Sequence, residues 1–151
     1  MSSPRAPLTL ALLLLSGFAG LQTLPMTKVD VESDPKTDFS TFKTFRWKDS
    51  QVPAENPIVH TSVAVYVERG LTSKGLTRKM EGEADLWVRY YTAKDEKATS
   101  GRLVLELYRT SDAVLVWKGS VMAPSIDKNR PDTEVKSAVR RLMAKYPPPS
   151  S

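Results

Sequence analysis

The chain has 151 residues, 40% of them hydrophobic and 26% charged, with a formal net charge of +5. That length and balance suit one globular domain with one core, and they argue against bulk disorder. There is no cysteine, which excludes disulfides, thiolate metal sites, thiol nucleophiles and a lipid anchor through cysteine, while the mild positive charge favours anionic partners without naming one.

Residues 1–24 read as an export signal. Arg5 lies in a short n-region, Leu8 to Leu15 form the apolar h-region, and Ser16, Gly17, Ala19 and Gly20 are small. Small residues at Gly17 and Ala19 set the expected cleavage after Ala19, giving a signal peptide over 1–19 and a linker over 20–27. The alternative is an uncleaved anchor. Against it, the apolar run is broken by Ser16, Gly17, Gly20, Gln22 and Thr23, whereas a span needs roughly 20 mostly apolar residues. Leu15-Ser16-Gly17 leads into a bacterial lipobox, but Phe18 stands where the lipidated cysteine belongs and cannot form the thioether. The expectation is an exported protein, periplasmic or envelope-associated, held peripherally if at all.

Lys28 to Ser33 alternates as a half-buried strand, with Val29 and Val31 on one face. Asp34-Pro35 ends it. Asp38-Phe39-Ser40 opens a linker that Phe39 and Phe42 pin to the core. Lys43 to Lys48 reads as a second strand with Phe45 and Trp47 on one face. A polar loop follows, then Asn56-Pro57 as a helix start. Over Ile58–Ser73 two patterns compete. Val59, Val63, Val67 and Leu71 form a helical stripe, while Val63, Val65 and Val67 alternate like a strand; the length favours a helix. Lys74-Gly75 fits its end, and Gly70 inside it costs about 1 kcal/mol relative to alanine.

Ala84 to Thr92 reads as a third strand, with Leu86, Val88 and Tyr90 facing one way and Trp87, Arg89 and Tyr91 the other. After a charged loop over 92–101, Leu103 to Val121 reads as a β-hairpin around Thr110-Ser111-Asp112, central to the sheet. A further loop runs from Ala123 to Arg130. Val135, Ala138, Val139, Leu142, Met143 and Tyr146 then mark the strongest amphipathic helix, with acidic residues at its start and basic ones at its end. Pro147-Pro148-Pro149 stops it, and the 147–151 tail is expected to be disordered. The order β-β-α-β-β-β-α predicts a single α+β domain over 28–146. It is a two-layer sandwich of about five mostly antiparallel strands with two helices on one face.

These residues also resemble a known family. Val29-Asp30-Val31 through Asp34, then Asp38-Phe39-Ser40-Thr41-Phe42-Lys43-Thr44-Phe45-Arg46-Trp47, is similar to the N-terminal signature of domain of unknown function 4136. Gly70-Leu71 through Lys74-Gly75, Ala84-Asp85-Leu86-Trp87-Val88 and Leu115-Val116-Trp117-Lys118-Gly119 match in order. The resemblance covers roughly 28–146 and implies an envelope-associated α+β domain, in a family composed largely of bacterial lipoproteins. It transfers no catalytic residues. Two departures are Phe18 at the lipobox position and Ala113 where members often carry glycine in the hairpin turn.

No chemistry stands out in the sequence. His60, the only histidine, reads as a lone surface side chain. Glu81, Glu83 and Asp85 read as a solvated turn, with Asp85 capping the strand entry; the alternative, a small hydrolase using this cluster and His60, is remote. Trp47 and Trp117 are expected in the core. Trp87, beside Arg89 and Tyr91, is the best candidate for an exposed aromatic, so that trio is the expected partner face. Lys136, Arg140, Arg141 and Lys145 form a basic helix face that would meet anionic lipid or envelope polymer. There is no phosphate loop, HExxH, G-x-S-x-G or dinucleotide fingerprint. Export argues against nucleic acid, and no cofactor or metal is expected. The reading is a non-catalytic envelope domain that binds a protein or small ligand.

Overall fold

The computed structural model of the chain describes residues 28–48, 56–94, 101–123, 126 and 130–149. The export signal, its cleavage point and the 20–27 linker lie outside the described residues, as do the loop stretches 49–55 and 95–100.

The expected hairpin is the middle of the sheet. β5 (Gly101–Arg109) pairs antiparallel with β6 (Val114–Met122) on one side and with β4 (Leu86–Lys94) on the other. β1 (Val29–Ser33) adds antiparallel to β6. Beyond β4 the sheet continues with two parallel pairings, to β2 (Thr44–Trp47) and then to β3 (Thr77–Arg78). The order across the sheet is β1-β6-β5-β4-β2-β3. The α+β class and the mostly antiparallel pairing are as expected, with six strands in place of about five. The additional strand, β3, is two exposed residues long, too short for any alternation to register. The expected linker contains a 3-10 turn over Phe39–Thr41, opened by Asp38 accepting from the Ser40 amide.

Over the contested stretch the helix wins. α1 spans Pro57–Ser73 and buries Val59, Val63, Val67 and Leu71, the residues of the four-residue stripe, while Val65 stays exposed. Asn56 caps it by accepting from the Ile58 amide at 2.9 Å, and Gly75 beyond its end has φ 91°. α2 spans Pro131–Met143 and buries Val135, Ala138, Val139, Leu142 and Met143. A β-carbon at Gly70 of α1 would lie 2.4 Å from Met143 Cγ. The glycine that weakens α1 as a helix therefore lets α2 pack against it. Asp132, in the first turn of α2, accepts from the Ser62 hydroxyl at 2.7 Å and the Tyr66 hydroxyl at 3.1 Å, tying the helices together.

Register decides which residues face the helices. Phe45, Leu86, Val88, Tyr90, Leu105, Leu107, Trp117 and Val121 share that face and are almost wholly buried. The β5–β6 ladder shifts register at Tyr108, leaving Val116 without an opposite residue; such a bulge bends the strand. The Val116 carbonyl accepts from Asp34 N–H at 2.9 Å just beyond β1. Ser150 and Ser151, the end of the expected tail, lie outside the described residues. Pro147, Pro148 and Pro149 follow the buried Tyr146 and line a cleft with it.

The hairpin turn holds Ala113 at φ 57°, a left-handed conformation that costs an L-residue about 1–2 kcal/mol. Arg109 clamps the turn through two bonds to Asp112, at 2.9 and 2.7 Å. Ala113→Gly is expected to raise stability by about 0.5–1 kcal/mol, because the relief of strain exceeds the entropy glycine adds to the unfolded chain. Paired denaturant melts check this, and an unchanged or lower midpoint would show that the turn stores no strain.

Candidate functional site

The sheet face opposite the helices is built by alternation on β4 and β5. Trp87 pairs with Tyr108, Arg89 with Glu106 and Tyr91 with Val104. The same face runs on to Lys118 and Ser120 of β6, then to Asp30 and Glu32 of β1, and on the other side to Arg46 of β2. Trp87, Arg89 and Tyr91 thus come together as expected, half-buried rather than fully open. Lys48 accounts for part of that cover: its Nζ lies 4.6 Å from the centre of the Tyr108 ring and 5.8 Å from that of Trp87. Arg89 lies 5.7 Å from the Tyr91 ring.

Beneath these side chains Glu106 is only 6% exposed. A buried carboxylate needs partners. Glu106 accepts from the Tyr108 hydroxyl at 2.8 Å, and the Arg89 guanidinium stands 3.9 Å away. Burial, and then the bond to Glu106, push the Tyr108 hydroxyl above its usual pKa. Toward β1, Arg102 donates to Ser120 Oγ at 2.7 Å and pairs with Asp30 at 3.5 Å. The face therefore offers aromatic rings and cations already fixed by their neighbours. Lys48, Glu106 and Tyr108 were not anticipated. Glu106 and Tyr108 alternate with the leucines of β5 at the same period as Trp87, Arg89 and Tyr91, but only strand register puts the two sets side by side.

The other expected residues are distributed differently. His60 is corrected from a lone surface histidine: it is half-buried, and its Nδ1 lies 2.5 Å from the hydroxyl of the buried Tyr90. Asp85 accepts from the Lys43 amide at 2.8 Å and from the Thr44 amide and hydroxyl at 2.9 Å each. It fastens the start of β4 to β2, while Glu81 and Glu83 remain exposed. His60 and Asp85 are each taken up by different partners. Among the described residues no three His, Asp or Glu side chains gather to hold a metal ion. Trp117 is fully buried. Trp47 is half-buried against the core and donates to Glu68 at 2.7 Å, which also pairs with Arg78 at 2.8 Å. On α2, Lys136 and Arg140 are exposed, as is Lys145 just past its end. Arg141 turns back, donating to the Ser137 and Met122 carbonyls at 3.3 and 3.5 Å, so the outward basic set is three residues rather than four.

The profile of the family described as Domain of unknown function (DUF4136) matches residues 29–148. No curated protein matches the chain. Among solved structures, a PDZ domain protein from Parabacteroides distasonis is similar over 83% of this chain, with 16% identity and a TM-score of 0.67. The match covers 36% of that protein, so the chain spans about a third of its length. Two crystal structures of the PelC dodecamer from Paraburkholderia phytofirmans are similar over 79% of this chain and 95% and 96% of PelC. Their identities are 15% and 14%, and both TM-scores are 0.57. At such identities the likeness is one of fold.

The Asp85 clasp has a pH signature. Hydrogen bonds, first from the Lys43 amide and then from Thr44, hold its carboxyl below the usual aspartate range. Its contribution is therefore present above the unfolded pKa of about 4 and is lost as pH falls through the lower folded value. Asp85→Asn is expected to cost about 1–3 kcal/mol at pH 7, with the gap to the wild-type chain closing in acid. Chemical melts at pH 7 and pH 3 check this; a gap that is the same at both would assign the loss to packing.

Proposed function

The chain belongs to the DUF4136 family, and from that membership we propose that it is an exported, non-catalytic cell-envelope domain that docks an envelope protein on its helix-free sheet face. The observation that carries this reading is the fixed arrangement of Trp87, Arg89, Tyr91 and Tyr108 over the buried Glu106. Tryptophan, tyrosine and arginine dominate binding hot spots. Side chains already held in place lose little entropy when a partner arrives. Export rests on the n-region, h-region and small residues of 1–19. The similar PelC fold forms a dodecamer, which adds further copies of this chain to the partners worth testing.

A second reading takes the basic end of the chain. Lys136, Arg140 and Lys145 point outward, with Arg141 behind them, and would hold an anionic envelope polymer or lipid. It predicts retention in membrane or wall fractions that high salt reverses; retention unmoved by salt removes it.

The main reading is tested by crosslinking the full-length protein in cells and identifying what is attached by mass spectrometry. A reproducible envelope protein, or a second copy, linked near Trp87 is expected. The Trp87→Ala, Arg89→Ala double variant should lose at least about 2 kcal/mol of binding, roughly a thirtyfold drop. The same sample gives the mature N-terminus, expected at Gly20. Retention of every partner by the double variant rejects the face, and a mature start at Met1 on chain recovered from the cytosol rejects export.

A further inference from the structure

A cleft of about 640 Å³ lies away from the helix-free face, where three distant segments meet. Its walls come from Ser33–Lys43 ahead of β2, Lys74–Leu76 after α1, and Tyr146–Pro149 after α2. That volume suits a small-molecule site. Three of its rings touch edge to face: Phe39 stands 6.0 Å from Phe42 and 5.8 Å from Tyr146, at 82° and 83°. Tyr146 is 2% exposed, and its hydroxyl has no hydrogen-bond partner among the described residues.

The rim is less balanced than its composition suggests. Asp34 accepts from the Lys36 amide at 3.0 Å and the Thr37 hydroxyl at 2.7 Å. Asp38 accepts from the Ser40 amide at 3.0 Å and hydroxyl at 2.6 Å. Both carboxylates are engaged inside their own turns. Lys43 Nζ donates to the Ser40 carbonyl at 2.8 Å. Lys36 and Lys74 also line the cleft, are exposed, and make no side-chain hydrogen bond or ion pair among the described residues. The rim therefore carries three ammonium groups against two carboxylates, with Lys36 and Lys74 left to donate above an aromatic and proline-lined trough.

We infer that this cleft binds a small, free anionic amphiphile: an apolar body lies against Phe39, Phe42 and Tyr146, and a carboxylate-like head lies toward Lys36 and Lys74. The body gains by leaving water for an apolar wall, and the head gains charge-assisted hydrogen bonds. A cationic head on the same body meets three lysines against two aspartates and is disfavoured.

The test titrates the isotopically labelled full chain with sodium dodecanoate and follows backbone amide shifts. Saturable shifts are expected at Phe39–Lys43 and Lys74–Leu76, with dodecyltrimethylammonium giving none there. Lys36→Gln with Lys74→Gln should weaken dodecanoate about tenfold at an unchanged Tm, while the charge-matched Lys136→Gln, Arg140→Gln control should bind as the wild-type chain does. Equal binding of the cationic analogue, equal weakening by the control pair, or no saturable shift at these amides overturns the inference. Shifts with anionic phospholipid vesicles but not with dodecanoate overturn it in favour of a membrane surface.

Discussion

Trp117 can be buried only because position 119 has no side chain. A β-carbon there would lie 2.4 Å from the far edge of the indole and 2.8 Å from Leu142 of α2. The ring end therefore lies over the glycine, and the second helix packs down onto both. Tyr146, just past α2, meets Trp117 edge-on at 5.6 Å and carries the chain on to the proline wall of the cleft. This packing leaves Trp117 Nε1 and the Tyr146 hydroxyl without hydrogen-bond partners among the described residues. Each such group costs about 1–3 kcal/mol. Each aromatic removes about 150–250 Å² from water, worth roughly 4–6 kcal/mol at ~25 cal/mol per Å², so burial wins. The same burial pushes the Tyr146 hydroxyl pKa up to about 12.

With both helices committed to one side, the other side of the sheet must be made acceptable to water by its own side chains. It does this with long cationic and aromatic residues rather than with small polar ones. Lys48 lies across Tyr108 and Trp87, Arg89 reaches Tyr91 and Glu106, and Arg102 reaches Ser120 and Asp30. The aliphatic stems cover the strands while the charged ends stay in water. A face solvated in this way is orderly in advance of any partner, which is the property a docking surface needs.

Much of this was legible from local patterns. The valine stripe of α1, its Asn56 cap and Gly75 end, the amphipathic α2 and the Leu103–Val121 hairpin all follow from period and capping alone. The Trp87, Arg89, Tyr91 row was readable because β4 alternates cleanly. Its surroundings were not, because Glu106 and Tyr108 reach it through register and Lys48 through a parallel pairing with no local sequence mark. The His60 contact is hidden from local pattern for the same reason: its partner Tyr90 is thirty residues away, across the β2–α1–β4 crossover. The cleft was invisible in sequence, since its segments are brought together only by Phe39, Tyr146 and the helix ends.

The pairing of β1 with β6 joins the first described strand to the last. Local hairpins such as β4-β5-β6 close short loops, whereas β1 must wait for nearly the whole domain to be present, and the entropy of that closure delays it. β2 depends in turn on the α1 crossover to reach β4. β1 is therefore an edge strand whose five residue pairs with β6 close the longest sequence separation in the sheet. A tether at the N-terminus would load the element whose loss leaves the meander and its tryptophan core in place.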